Sequence, residues 1–150
     1  MPQSLSKLYV HIIFHVKNNE ILIKQEDEKE LYAYIGSIIK ANESIPIKIN
    51  GTENHLHILV SMSKNITLAK LVEEIKRNSS RWIKTKSKHY HLFAWQGGYA
   101  GYSVSQSKIT IVERYIESQK EHHKKMTFKE EYIAFLKEYC IEYNENYLWT

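Results

Sequence analysis

The sequence has one cysteine, two prolines and five glycines in 150 residues, and it has no long apolar run. The lone thiol of Cys140 excludes an internal disulfide and a cysteine-based zinc cluster, supports on which many small proteins depend. Cys140 is expected to be a buried thiol near a helix end. The scarcity of Gly and Pro excludes collagen-like and linker-rich chains. No stretch approaches the roughly 18 apolar residues of a membrane span. Met1 to Lys7 also lacks the apolar core of a secretion signal, so a cytoplasmic protein is expected. Four familiar machineries are missing too: the phosphate loop G-x-x-x-x-G-K-[ST], the dinucleotide glycine fingerprint, H-E-x-x-H and G-x-S-x-G. Nucleotide hydrolysis is therefore not expected to drive the activity.

What is present is 43% hydrophobic and 25% charged, enough to bury the core of one domain spanning residues 1–150. The net charge is only +4, but it is unevenly placed. Residues 1–63 carry six basic and seven acidic side chains, and residues 89–150 carry seven and eight. Between them, residues 64–88 carry eight basic side chains against Glu73 and Glu74 alone. Such a block points to an anionic polymer as partner.

Hydrophobic periodicity gives the element order. Tyr9 to Val16 alternates, with Val10, Ile12, Phe14 and Val16 on one face of a strand and Tyr9, His11, Ile13 and His15 on the other. A helix over 26–42 carries Leu31, Tyr34, Ile35 and Ile38. Ile45, Ile47 and Ile49 alternate up to Asn50-Gly51, read as a tight reversal, and His55 to Val60 returns as the second strand of a hairpin. A second amphipathic helix starts near Thr67 and reaches about Lys84. Tyr90 to Gly101 reads as a loop anchored by aromatic rings, and Tyr102 to Ser105 as a short strand. Ile109, Val112 and Ile116 mark a third helix, and Phe128, Tyr132, Phe135 and Tyr139 a fourth. The order predicts an α+β fold, a ferredoxin-like split βαβ antiparallel sheet with helices on one face and additional C-terminal helices.

Three constellations carry chemistry. His55 and His57 lie two apart on a strand, so both imidazoles leave one face while Leu56 and Ile58 enter the core. Alone, such a pair is as readily two hydrogen-bonded side chains as half of a metal site. Tyr115 and Gln119 stand about 40° apart on the flank of the third helix, where His122 also falls. Unaided, Tyr115 reads as a boundary tyrosine. On the second helix Lys70, Arg77, Arg81, Lys84 and Lys88 cluster within about 60° opposite the apolar stripe, a face suited to phosphates. His11 and His15 are about 13 Å apart along an extended strand, too far to share an ion, though His11 can approach a neighbouring strand's ligands. His122 and His123 read as a solvated helix end.

Taken in order, His55-Leu56-His57, Trp95-Gln96-Gly97-Gly98-Tyr99, Ser103-Val104-Ser105 and Tyr115-Ile116-Glu117-Ser118-Gln119 resemble the single-tyrosine HUH transposases of small insertion sequences. The tail, with Glu121-His122-His123 and Tyr147-Leu148-Trp149, is similar to the subgroup associated with repetitive palindromes. The resemblance implies a catalytic core over about 8–123 and a helical tail over about 124–150. It implies Tyr115 as nucleophile and His55, His57 and Gln119 as ligands of Mg²⁺ or Mn²⁺. Single-stranded DNA with hairpin ends is the implied partner, and a homodimer the implied assembly. Other readings are a non-catalytic nucleic-acid-binding domain, a domesticated relative, and a metal-dependent hydrolase in which Tyr115 is structural. Against the binding domain, no strand carries the K/R-G-F/Y-G/A-F-V-x-F/Y signature.

Overall fold

The computed structural model describes residues 2–150. Four strands, β1 (Leu8–His15), β2 (Ile45–Gly51), β3 (His55–Met62) and β4 (Ala100–Val104), form one antiparallel sheet in the order β2-β3-β1-β4. Helices α1 (Gln25–Ala41) and α2 (Leu68–Ile83) are the two crossovers. This is the split βαβ plan, with β1 and β3 in the centre. Helices α3 (Ile109–Glu117), α4 (Gln119–His122), α5 (Phe128–Glu138) and α6 (Glu145–Leu148) follow β4, and a long loop joins α2 to β4.

Register decides which residues meet. In the β1/β3 pair Ile12 lies opposite Ile58 and Phe14 opposite Leu56, and these side chains join Leu31, Ile35, Leu71 and Ile75 in a core beneath α1 and α2. Residues opposite each other across a ladder share a face. Ile13 opposite His57 and His15 opposite His55 therefore face the other way. That second face is not left to solvent: Ile13, Ala100 and Tyr102 pack with Phe128, Tyr132 and Leu136 of α5. The loop before β4 is anchored by rings as expected, with Tyr90, Phe93 and Trp95 in the main core and Trp95 Nε1 donating to Ser79 Oγ at 3.0 Å.

Several local expectations are corrected. The β2/β3 reversal is made by residues 52–54, not at Asn50-Gly51; Gly51 still pairs with Leu56 inside the ladder. Glycine is needed there because a Cβ would stand 2.1 Å from the His55 carbonyl oxygen. A bulge between Pro46 and Lys48 breaks the alternation of the three isoleucines, so Ile49 reaches the core and Ile45 is left exposed. The third helix stops at Ser118, whose hydroxyl turns back to the Arg114 carbonyl at 2.9 Å, and Gln119 begins a new short helix. Cys140 is exposed, not buried, at the left-handed residue (φ 55°) that ends α5.

Candidate metal and nucleophile site

The two histidines of β3 are completely buried. Each has its outer nitrogen engaged. His55 Nδ1 lies 2.8 Å from Asn54 Oδ1, which also accepts from the Thr52 hydroxyl at 3.0 Å. The Thr52 hydroxyl also lies 2.9 Å from His55 Nδ1, so the outer nitrogen is held by two neighbours, and the tautomer with its proton on Nδ1, donated to Asn54, turns the Nε2 lone pair inward. His57 Nδ1 stands 2.8 Å from Nε2 of His11 across the β1/β3 ladder, which leaves His57 Nε2 inward too. Burial, with His57 next to it, pushes the His11 imidazole down to about 3, so it is neutral at physiological pH. Burial likewise lowers His55 and His57. His15, on the same face, turns its Nε2 to the Leu148 carbonyl at 3.0 Å and takes no part.

Helix α3 brings the tyrosine. It is pinned to the edge of the sheet where Asn50 Nδ2 donates to the Ile116 carbonyl at 2.9 Å and Lys48 pairs with Glu117 at 2.7 Å. The Tyr115 ring then lies 5.8 Å from the His57 ring and 6.4 Å from the His11 ring, centroid to centroid. Despite the break at Ser118, Gln119 turns into the same centre: it is fully buried, with Oε1 3.1 Å from His55 Nε2. Tyr115, His55, His57 and Gln119 are thus brought together within one chain.

Two further residues join them that the sequence reading did not single out for the site. Glu131 of α5 is 2% exposed. Its Oε1 lies 2.9 Å from His57 Nε2 and 3.7 Å from His55 Nε2, and its Oε2 accepts from the Tyr115 hydroxyl and, at 3.4 Å, from Gln119 Nε2. His123, read as part of a solvated end, turns inward, with Nε2 3.1 Å from Gln119 Oε1 and 3.3 Å from Glu131 Oε1. His122 instead packs its ring against Tyr115, centroids 4.5 Å apart. Ligand atoms of His55, His57, His123 and Glu131 all lie within 4.8 Å of one another. A helical period could place Glu131 on the inner face of α5, but no sequence signal linked that helix to a strand more than 70 residues earlier.

The chemistry of this donor set fits a divalent cation. His55 Nε2, His57 Nε2, Gln119 Oε1 and Glu131 Oε1 converge; imidazole N–H groups bridge them here, and each of the four atoms can offer a lone pair to a cation once those protons are displaced. Burial opposes ionisation of Glu131, yet hydrogen bonds from His123 and His57 hold its carboxyl well below the ordinary range. A buried carboxylate beside His55 and His57, whose burial favours their neutral form, is short of positive charge, which a metal ion supplies. Burial and the Glu131 carboxylate push the Tyr115 phenol above its usual value, so the hydroxyl keeps its proton in this state. A groove of about 620 Å³ opens on Tyr115 between Ser105, Lys108, Val112 and the rings of Phe135 and Tyr139.

The five cations singled out on and after α2 are all exposed, but they are not equivalent. Lys70 and Arg77 are bridged by Glu73 and Glu74, with Arg77 2.9 Å from Glu74. Arg81, Lys84 and Lys88 have no acidic partner among the described residues. The stripe is therefore half neutralised at its N-terminal end and bare at its C-terminal end.

Residues 4–119 match the family described as transposase IS200 like, and the chain belongs to that family. None of the curated proteins matches it. Among solved structures it is similar to a protein from Deinococcus radiodurans R1 described as a transposase. That pair shares 20% identity over 79% of this chain and 98% of the other, with a TM-score of 0.61. It is also similar to a REP-associated tyrosine transposase bound to a REP hairpin, at 12% identity over 82% of this chain and 73% of that one, again with a TM-score of 0.61. At these identities the likeness establishes the fold. No helix among the described residues is long and apolar enough to cross a membrane.

Proposed function

We propose that the protein cuts and rejoins single-stranded DNA through a covalent bond between Tyr115 and a 5′ phosphate. The observation that carries this reading is the convergence of Tyr115 on His55, His57 and Gln119 inside a chain of the IS200-like transposase family. His55, His57 and Gln119 hold a Mg²⁺ or Mn²⁺ ion. Bound there, the ion supplies positive charge to the oxygens of a phosphate, which a phenol of pKa about 10 needs in order to react at neutral pH. Tyr115 Oη attacks phosphorus, the bond to the 3′ oxygen breaks, and a 3′ hydroxyl and a 5′ phosphotyrosine result. The phenol loses its proton and the departing oxygen gains one. A second 3′ hydroxyl reverses the step on another strand, so no nucleoside triphosphate is consumed.

The remaining residues serve binding. The groove at Tyr115 offers Phe135 and Tyr139 to stack on unpaired bases, a contact open only to a single strand. Arg81, Lys84 and Lys88, with Lys70 and Arg77 less strongly, take the phosphates of a hairpin end, the kind of DNA held by the structural neighbour. The assembly is the homodimer that the family implies. The domain division follows the same reading, with residues 8–123 as core and 124–150 as a tail that closes over its second face.

The test is a denaturing gel of the full chain incubated with Mn²⁺ and single-stranded hairpin oligonucleotides from DNA flanking its gene. A protein-linked product that disappears with chelator supports the reading. Free cleavage products alone indicate hydrolysis, and binding without cleavage indicates a non-catalytic domain.

A further inference from the structure

Glu131 lies beyond the family match, which ends at residue 119, and has no task in the cleavage chemistry proposed for Tyr115, His55, His57 and Gln119. We propose that Glu131 is a working member of the site, with Oε1 a ligand of the divalent ion beside His55 and His57 and Oε2 the holder of the Tyr115 hydroxyl. The C-terminal helix thereby couples nucleophile and metal centre. This rests on the metal site of the proposed function and deepens it.

Three observations carry the inference. First, the carboxylate is buried to 2% exposure in a face otherwise made of imidazoles and aromatic rings, with no Lys or Arg among the described residues within ion-pair distance. A carboxylate in such a place is costly unless a cation shares it. Second, its two oxygens are divided in their tasks. Oε1 faces the inward nitrogens of His57, His123 and His55, and Oε2 faces Tyr115 and Gln119. A carboxylate split in this way bridges a metal to a hydroxyl, as the partners of metal ligands commonly do. Third, its helix is firmly placed. Thr127, one turn before Glu131, and Glu130, next to it, form a reciprocal capping box, and Phe128 stacks on the His55 ring with centroids 4.2 Å apart. Glu131 is thus held at the centre by the rigid start of a helix rather than by a loop.

The same position admits the opposite role, a plug that keeps DNA out until the tail moves, and metal affinity separates the two. Mn²⁺ is titrated calorimetrically into the full-length protein and into Glu131→Gln, which keeps size and one acceptor oxygen but loses the charge. Glu131→Asp is the second variant, retaining the charge and withdrawing the oxygens by one methylene. Covalent attachment to single-stranded DNA is measured on the same samples. The expected result is a loss of about tenfold or more in Mn²⁺ affinity for Glu131→Gln. A smaller loss is expected for Glu131→Asp, and adduct formation falls in both. Unchanged Mn²⁺ affinity in Glu131→Gln overturns the inference, and faster adduct formation at that unchanged affinity identifies a plug. If Mn²⁺ binding depends on Glu131 but not even the wild type forms an adduct, the ligand assignment stands and the covalent reading falls.

Discussion

An imidazole on a strand can serve as a ligand only if its outer nitrogen is already engaged and its inner lone pair is free. The outer nitrogens are engaged, at His55 by Asn54 and at His57 by His11, and both inner Nε2 atoms face the centre, where a metal ion would take the place of their protons. The sequence reveals the His-x-His pair because strand periodicity puts both rings on one face. It also leaves His11 near a neighbouring strand's ligands, and the register places His11 within hydrogen-bond reach of His57. Glu131 and His123 were not legible, because their approach depends on how the tail folds back and no local period encodes that. Removing either strand imidazole, in His55→Ala or His57→Ala, should abolish Mn²⁺-dependent cleavage. Gln119→Ala should only raise the Mn²⁺ concentration required, since water can replace an amide oxygen. Cleavage assayed across a Mn²⁺ series checks both. His variants that cut as well in chelator as in Mn²⁺ would remove the metal site.

At the scale of elements, helix ends and loop clamps set the geometry. Thr127 caps α5 one turn before Glu131, so Thr127→Ala should cost about 1 kcal/mol of stability and weaken Mn²⁺ binding as well. Chemical denaturation and calorimetry measure the two, and a stability loss with Mn²⁺ affinity intact would show that the cap does not position the carboxylate. Lys76 of α2 clamps the loop before β4, donating to the Gln96 carbonyl at 3.0 Å and to that of Gly98 while lying over the Phe14 ring. Burial pushes its ammonium down to about 8. Between about pH 8 and about pH 10.4 the unfolded chain binds the proton and the folded chain sheds it, so this residue's contribution to stability rises with pH across that window. The melting temperature of the wild type relative to Lys76→Met should climb from about pH 8 to about pH 10, and a flat difference would contradict the buried clamp. The ring-anchored loop was readable from its aromatic residues. The break at Ser118 was not, because the apolar stripe of α3 runs up to it and a serine hydroxyl turning back on its own helix leaves no periodic trace.

At the scale of the whole molecule, one face of the sheet packs on α1 and α2 and the other on the C-terminal tail, so the site is enclosed between the sheet and the tail's first helix. The layer under α1 and α2 follows from alternation and helical stripes in the sequence. The second layer does not, because a strand face that mixes Tyr9, His11 and His15 with a single isoleucine, Ile13, does not say what covers it. Charge is likewise a property of the whole surface: the basic excess was visible in the sequence, but its neutralisation by Glu73 and Glu74 at one end was not. Arg81→Ala and Lys84→Ala should each lower the log-log salt slope of hairpin binding by about 0.7 to 0.9. Lys70→Ala and Arg77→Ala should lower it less, because their acidic neighbours already hold them, and Lys40→Ala on α1 should not change it. Equal slopes for all five variants would make the stripe an ordinary solvated face. The central claim, that Tyr115 is the nucleophile, is tested most directly by digesting the covalent protein–DNA product and identifying the modified peptide by mass spectrometry. The expected result is a nucleotide-linked phosphotyrosine at Tyr115, absent from Tyr115→Phe and from reactions without divalent metal. A DNA-linked peptide containing Tyr99 or Tyr102, or an adduct that persists in Tyr115→Phe, would contradict it.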